Sequence, residues 1–183
     1  MGVYELDGRV PLVGEGTYIS PAAHVIGDVR IGEGCWIGPG AVIRGDFGQI
    51  TIGSFTAVEE NCVVHCYPDS DCVVGEYVTI GHNATVHAAR IGDYVTIGMG
   101  AVIGVDAKIG TWCIVGEGAV VRSRQEVPPD TVVAGVPAEK IGVMDDGPHP
   151  ALVAGPDRPR QRAADPDVGR RGWIRVAVGV LGG

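Results

Sequence analysis

Aromatic side chains are scarce in this chain: 5% of its 183 residues, with only two phenylalanines, so its interior is not a globular core built on large rings. Positive charge is short as well. A formal net charge of −8 argues against nucleic acid as a partner, because such partners need their phosphates neutralised. No long apolar run or cleavable leader opens the sequence, and the apolar stretch Trp173 to Leu181 is too short to cross a bilayer. The expectation is a cytoplasmic protein with no membrane partner. The cysteines, Cys35, Cys62, Cys66, Cys72 and Cys113, are odd in number and lack zinc-finger spacing, which implies reduced thiols and not a disulfide framework.

What is abundant is glycine, thirty residues of it, together with valine and isoleucine in a strict phase. Aliphatic residues recur every six positions: Ile19, Val25, Ile31, Ile37, Ile43, then Ile52, Val58, Val64, then Val74, Ile80, Val86, then Ile91, Ile97, Ile103, Ile109, Val115 and Val121. Smaller residues, Ala41, Thr56, Thr79, Thr96, Ala101 and Ala119, are expected to join them in pointing inward. A period of six fits neither a helix nor an indefinitely extended strand. It fits a short strand and a turn, with glycine at corners that need a positive φ. Three hexads close one triangular coil of about eighteen residues. The fold class is therefore all-β, a left-handed parallel β-helix of hexapeptide repeats. About six coils are expected over residues 18–136, preceded by an entry or cap over 1–17 and followed by a largely disordered extension over 137–183.

The phase slips at three places. The spacing is nine from Ile43 to Ile52, ten from Val64 to Val74 and five from Val86 to Ile91, and these irregularities fall around Arg44 and Asp46, around His65 and at His87. Solenoids place insertions at corners, where sites collect. His65 follows inward Val64 and His87 follows inward Val86, so both point outward. The intervening hexads make one full coil, which stacks the two histidines at the inter-strand spacing of roughly 4.8 Å. Two imidazoles at that distance can share an ion held at about 2.0–2.1 Å per nitrogen. His82 lies near a corner of the preceding face, where a neighbouring subunit's ion is easier to reach than its own. His24 and His149 read as ordinary surface side chains.

These segments resemble the γ-class carbonic anhydrases of the hexapeptide-repeat proteins over residues 13–136. Val42-Ile43-Arg44-Gly45-Asp46 resembles their arginine-x-aspartate segment, Val63-Val64-His65 their first metal histidine, and Ile80 through His87 their paired histidines. The resemblance implies a homotrimer with zinc, or alternatively iron or cobalt, at each subunit boundary, held by His65 and His87 of one chain and His82 of the next. It also implies reversible hydration of carbon dioxide to bicarbonate. Arg44 and Asp46 would pair with charges across the boundary, and Glu60 would keep the family's acidic character and pair with Arg44.

Two departures bear on activity. Where the family has a glutamine that hydrogen-bonds the activated water, this chain has Glu59, and where the best-studied branch has an acidic proton shuttle it has Phe47. Glu59 could act as a base, ligate the metal or suppress hydration by surplus charge. Glu59, Tyr67 and Asp69 are the candidate proton acceptors. Cys66, beside His65, is the one cysteine that could be suspected of touching the metal, against the ordinary reading of a thiol that does not. The alternatives on the same fold are an acyltransferase or thioesterase acting on acyl-coenzyme A, and a non-catalytic structural trimer. Ala134 through Lys140 resembles the exit segment of many hexapeptide proteins, which normally leads into a helix.

Overall fold

The computed structural model describes residues 2–144, which form a parallel β-solenoid without a helix. Most strands are only two residues long, as at Thr79–Ile80 and Thr96–Ile97, because the chain must turn a corner after each aliphatic residue. Parallel pairing puts identical phases on top of one another: Val58, Ile80 and Ile97 on one face, Ile43, Val64 and Val86 on the next, Ile52, Val74 and Ile91 on the third. The aliphatic column so formed is the core, and nearly all of its members are fully buried. The inward partners within each coil include Ala41, Thr56, Ala101 and Ala119 as expected, but Val78 and Val95 take the place of Thr79 and Thr96. Each threonine immediately precedes an inward isoleucine, so strand alternation turns it out.

The face that begins at Tyr18–Ile19 carries seven parallel rungs down to Thr131–Ala134, one coil more than the hexads indicated. The solenoid also starts earlier. Val3–Tyr4 pairs with Val25 and Ile26, and Leu12–Val13 pairs with Arg30 and Ile31, so the segment read as a cap is itself a coil. At the far end Val127 and Val133 continue the buried phase past Val121. Glu139–Val143 then folds back antiparallel on Thr131–Ala134, where an exit helix or disorder was expected. The expectations for residues 145–183, including His149 and the apolar stretch near the end, lie outside the described residues. Among the described residues no helix is long and apolar enough to cross a membrane.

The three slips in phase have three solutions. The first is absorbed by Val42–Ile52, a single strand of 11 residues that runs round a corner. The second becomes a turn at the base of which Ser70 Oγ accepts from the Tyr67 amide at 3.0 Å and donates to the Tyr67 carbonyl at 2.7 Å, with Asp69 at a φ of 59°. The third puts Ala88 at a φ of 49°, directly after His87. Another corner holds Phe55, Tyr77, Tyr94 and Trp112 in the left-handed region, which costs free energy for non-glycine residues. Their rings stack at 5.1, 5.0 and 4.3 Å along the solenoid, an attraction that offsets the cost.

The column makes each core residue dependent on the rungs above and below. Ile80 is fully buried between Val58 and Ile97. Ile80→Ala is expected to lower unfolding free energy by about 2–5 kcal/mol. Urea titration followed by circular dichroism measures this, and a loss under about 1 kcal/mol would mean that the coils collapse around the gap.

Candidate metal centre

Arg44, His65 and His87 occupy the same register position on three successive rungs, directly after an inward aliphatic residue. The strand alternation that buries Ile43, Val64 and Val86 turns these three side chains outward in a column. The His65 and His87 rings stack at 5.1 Å with their planes 25° apart, as the sequence spacing required. Asp46, two residues beyond Arg44 on the same strand, reaches His65 Nε2 with Oδ1 at 2.8 Å and pairs through Oδ2 with the Arg44 guanidinium. Burial opposes ionisation of this carboxyl. The hydrogen bond from His65, the local backbone and the Arg44 charge outweigh it and hold Asp46 below the usual carboxylate range.

His87 differs from His65. Its Nε2 is buried and has no hydrogen-bond partner, an uncommon state for a polar atom inside a protein. Burial first, and then the neighbouring His65 and Arg44, push its pKa down, which favours the neutral imidazole that a metal takes as ligand. An unpartnered buried nitrogen on a neutral ring, stacked on a second imidazole, is a donor set that fits a divalent transition ion. Phe47 and Tyr67 close the site with edge contacts, 6.2 Å from the His65 ring and 6.3 Å from the His87 ring.

His82 sits at the corner between Thr79–Ile80 and Thr85–His87, with its side chain 47% exposed. Among the described residues, no group within one chain unites it with His65 and His87; the group that does form is Glu59, Glu60 and His82, with ligand atoms within 4.8 Å of one another. Glu60 Oε2 lies 2.6 Å from His82 Nδ1. Glu60 thus pairs with His82 and not with Arg44, which pairs with Asp46 of its own chain. Cys66 is fully buried, with Sγ directed at the Gln49 carbonyl and at Cys72, because it alternates inward after His65; it cannot touch an ion on the outer wall. Cys62 is also in the core, and all five cysteines are free and buried. The Tyr67 hydroxyl donates to both oxygens of Asp106 at 3.2 Å, and partial desolvation together with that carboxylate pushes the phenol up, away from use as a base near neutrality. Asp69 is exposed in the neighbouring turn. His24 stacks on Tyr4 at 5.6 Å, away from this column.

The contacts that reading the sequence missed were Glu60 with His82 and Tyr67 with Asp106. A signal for the first was present. Glu60 and His82 are 22 residues apart, the same separation that stacks His65 on His87. No comparable signal marks the second, since Tyr67 lies in the inserted turn.

The Asp46 contacts generate a prediction for metal-free protein. A carboxyl whose pKa is lowered on folding contributes stability that is full above its unfolded pKa of about 3.9 and is lost as pH falls through the lower folded value. Asp46→Asn is therefore expected to cost about 1–3 kcal/mol at neutral pH, and the gap from wild type should close as the pH is taken below about 4. Denaturant titrations of both proteins across that range measure it. A gap that stays constant would show that Asp46 is not held ionised by Arg44 and His65.

Comparison with known proteins bears on the family and the fold. The family described as bacterial transferase hexapeptide (six repeats) matches residues 11–45 and 88–123, leaving between them the stretch that carries the phase slips and His65, His82 and His87. The carnitine operon protein CaiE of Escherichia coli is 35% identical over 150 residues, 81% of this chain and 76% of that protein. A Methanocaldococcus jannaschii protein named probable carbonic anhydrase is 41% identical over 130 residues, 71% of this chain and 82% of that one. Among solved structures, a hexapeptide transferase family protein from Anaplasma phagocytophilum superposes with a TM-score of 0.76 at 28% identity, covering 98% of both chains. With the stacked histidines and the seven-rung solenoid, these similarities place the chain in the hexapeptide-repeat family, among its γ-class carbonic anhydrase-like members.

Proposed function

We propose that the protein is a γ-carbonic anhydrase-like metalloenzyme that hydrates carbon dioxide reversibly at the boundaries of a homotrimer. His65 and His87 of one subunit and His82 of the next are the ligands. The observation that carries this reading is the buried, unpartnered Nε2 of His87 stacked against His65, with His82 presented on a corner that its own chain does not bring to them. Three imidazoles would hold the ion there and leave room for water on it. A zinc ion held there, or iron or cobalt, supplies the Lewis acidity that makes water a nucleophile near neutral pH.

The remaining residues act around that centre. Asp46 orients His65, and Arg44 offsets the carboxylate's charge, so the pair belongs to the same chain as the ligand it serves. Glu59 and Glu60 flank His82 and enter the boundary with it. Glu59, where the family has glutamine, takes up the proton released from water at its carboxylate. Phe47, in place of an acidic shuttle, leaves this role to Glu59. Acyl-coenzyme A chemistry is the second reading, favoured by the likeness to a hexapeptide transferase family protein. Assay of thioester hydrolysis and acyl transfer on metal-loaded protein separates the two.

His82→Ala is expected to abolish metal binding while the β signal and the trimer mass persist, since the side chain faces out of the core. Elemental analysis with light scattering tests this, and a monomer that retains stoichiometric metal would contradict the shared site. Glu59→Gln is expected to lower carbon dioxide hydration by about 10²–10⁴-fold with metal content unchanged, as loss of a general base does. A faster rate in stopped-flow assays would instead mark Glu59 as surplus negative charge, and an unchanged rate would remove it from the site.

A further inference from the structure

Glu60 and His82 occupy equivalent corner positions on adjacent coils, and their backbones are tied together by the ladder of corner hydrogen bonds. The Asn83 amide donates to the Glu60 carbonyl at 2.9 Å, the Asn61 amide to the Pro39 carbonyl at 3.0 Å, and the Gly100 amide to the His82 carbonyl at 2.8 Å. The rung register thus sets the side chains against each other, with Glu60 Oε2 at 2.6 Å from His82 Nδ1. An ionised carboxylate can only accept, so the imidazole nitrogen facing it carries the proton. A free imidazole would sample both tautomers and, at 47% exposure, many orientations.

We propose that Glu60 is a positioning residue: by accepting a hydrogen bond from His82 Nδ1 it fixes the Nδ1–H tautomer and the ring orientation, leaving the Nε2 lone pair for an ion. The inference rests on the metal reading for its purpose and on the corner geometry for its substance. Carboxylate partners of this kind raise ligand basicity and fix the ring, and losing one typically costs 10–100-fold in metal affinity. His65 is held by a different atom, Nε2, through Asp46, and His87 by no hydrogen bond at that nitrogen. The three ligands are therefore not equivalent, and His82, the most exposed, depends most on its carboxylate. Glu59 shares the corner, but the short contact to Nδ1 is made by Glu60.

The test uses the full chain, apo and zinc-loaded. Nitrogen-15 NMR of the apo protein should show His82 as the Nδ1–H tautomer in wild type and reverting toward Nε2–H in Glu60→Ala. Zinc affinity, measured by competition with a chromogenic chelator, should fall 10–100-fold in Glu60→Ala with trimer mass retained. Glu60→Gln, whose side-chain carbonyl still accepts from Nδ1–H, should restore most of the affinity and the tautomer. An Nε2–H tautomer in wild type, or unchanged zinc affinity in Glu60→Ala, would overturn the proposal. Wild type that binds no zinc yet shows the Nδ1–H tautomer, lost in Glu60→Ala, would leave the positioning contact standing and remove the metal reading.

Discussion

Everything in this molecule depends on parallel stacking of like rungs. Once Val58, Ile80 and Ile97 must lie over one another to keep their side chains from water, every outward position is also stacked on its counterpart one coil away. The core column and the site column are thus two consequences of one register. Tyr77 meets Tyr94, Lys108 meets Glu126, and His65 meets His87 by the same rule. A chemical group placed after an inward aliphatic residue is presented on a rigid wall without any loop to position it.

The departures from strict repetition give that wall its chemistry. A perfect repeat would present the same groove on each coil. The inserted residues lengthen Val42–Ile52 round its corner and bring Asp46 back over His65, and the inserted turn carries Tyr67 beside His87. The missing residue after Val86 forces Ala88 into the left-handed region directly after His87. Strain gathered beside a functional group persists because rungs above and below over-determine the backbone. Here the Ala88 amide donates to the His65 carbonyl at 2.8 Å, and its own carbonyl accepts from Asp106 at 3.0 Å.

Much of this was legible before the structure, because burial in a solenoid is one-dimensional. Counting hexads placed the aliphatic core and stacked His65 on His87, since both depend only on phase. Side-chain pairing across corners was not legible in the same way. Arg44 took the carboxylate on its own strand in place of the expected Glu60, which left Glu60 to His82. Thr79 and Thr96 were placed one residue off, because a β-branched polar residue beside a valine offers no composition cue to which of the two turns in. Cys66 could not be oriented without knowing that strand alternation continues through His65 before the inserted turn begins. The first coil escaped notice because ten residues separate Val3 from Val13, the positions that pair with Val25 and Ile31, so the six-residue phase does not run through it.

The central claim is that one ion requires two chains, and subunit complementation tests it most directly. His82→Ala chains and chains carrying both His65→Ala and His87→Ala each lack part of every boundary, so neither homotrimer should bind metal. Any mixed trimer made by co-expression has one boundary where His65 and His87 of the first kind face His82 of the second. Metal should return in the mixed trimers at one ion per trimer, isolated by differential affinity tags and counted by elemental analysis. Metal-free mixed trimers, or full metal in either homotrimer, would contradict a site shared between subunits.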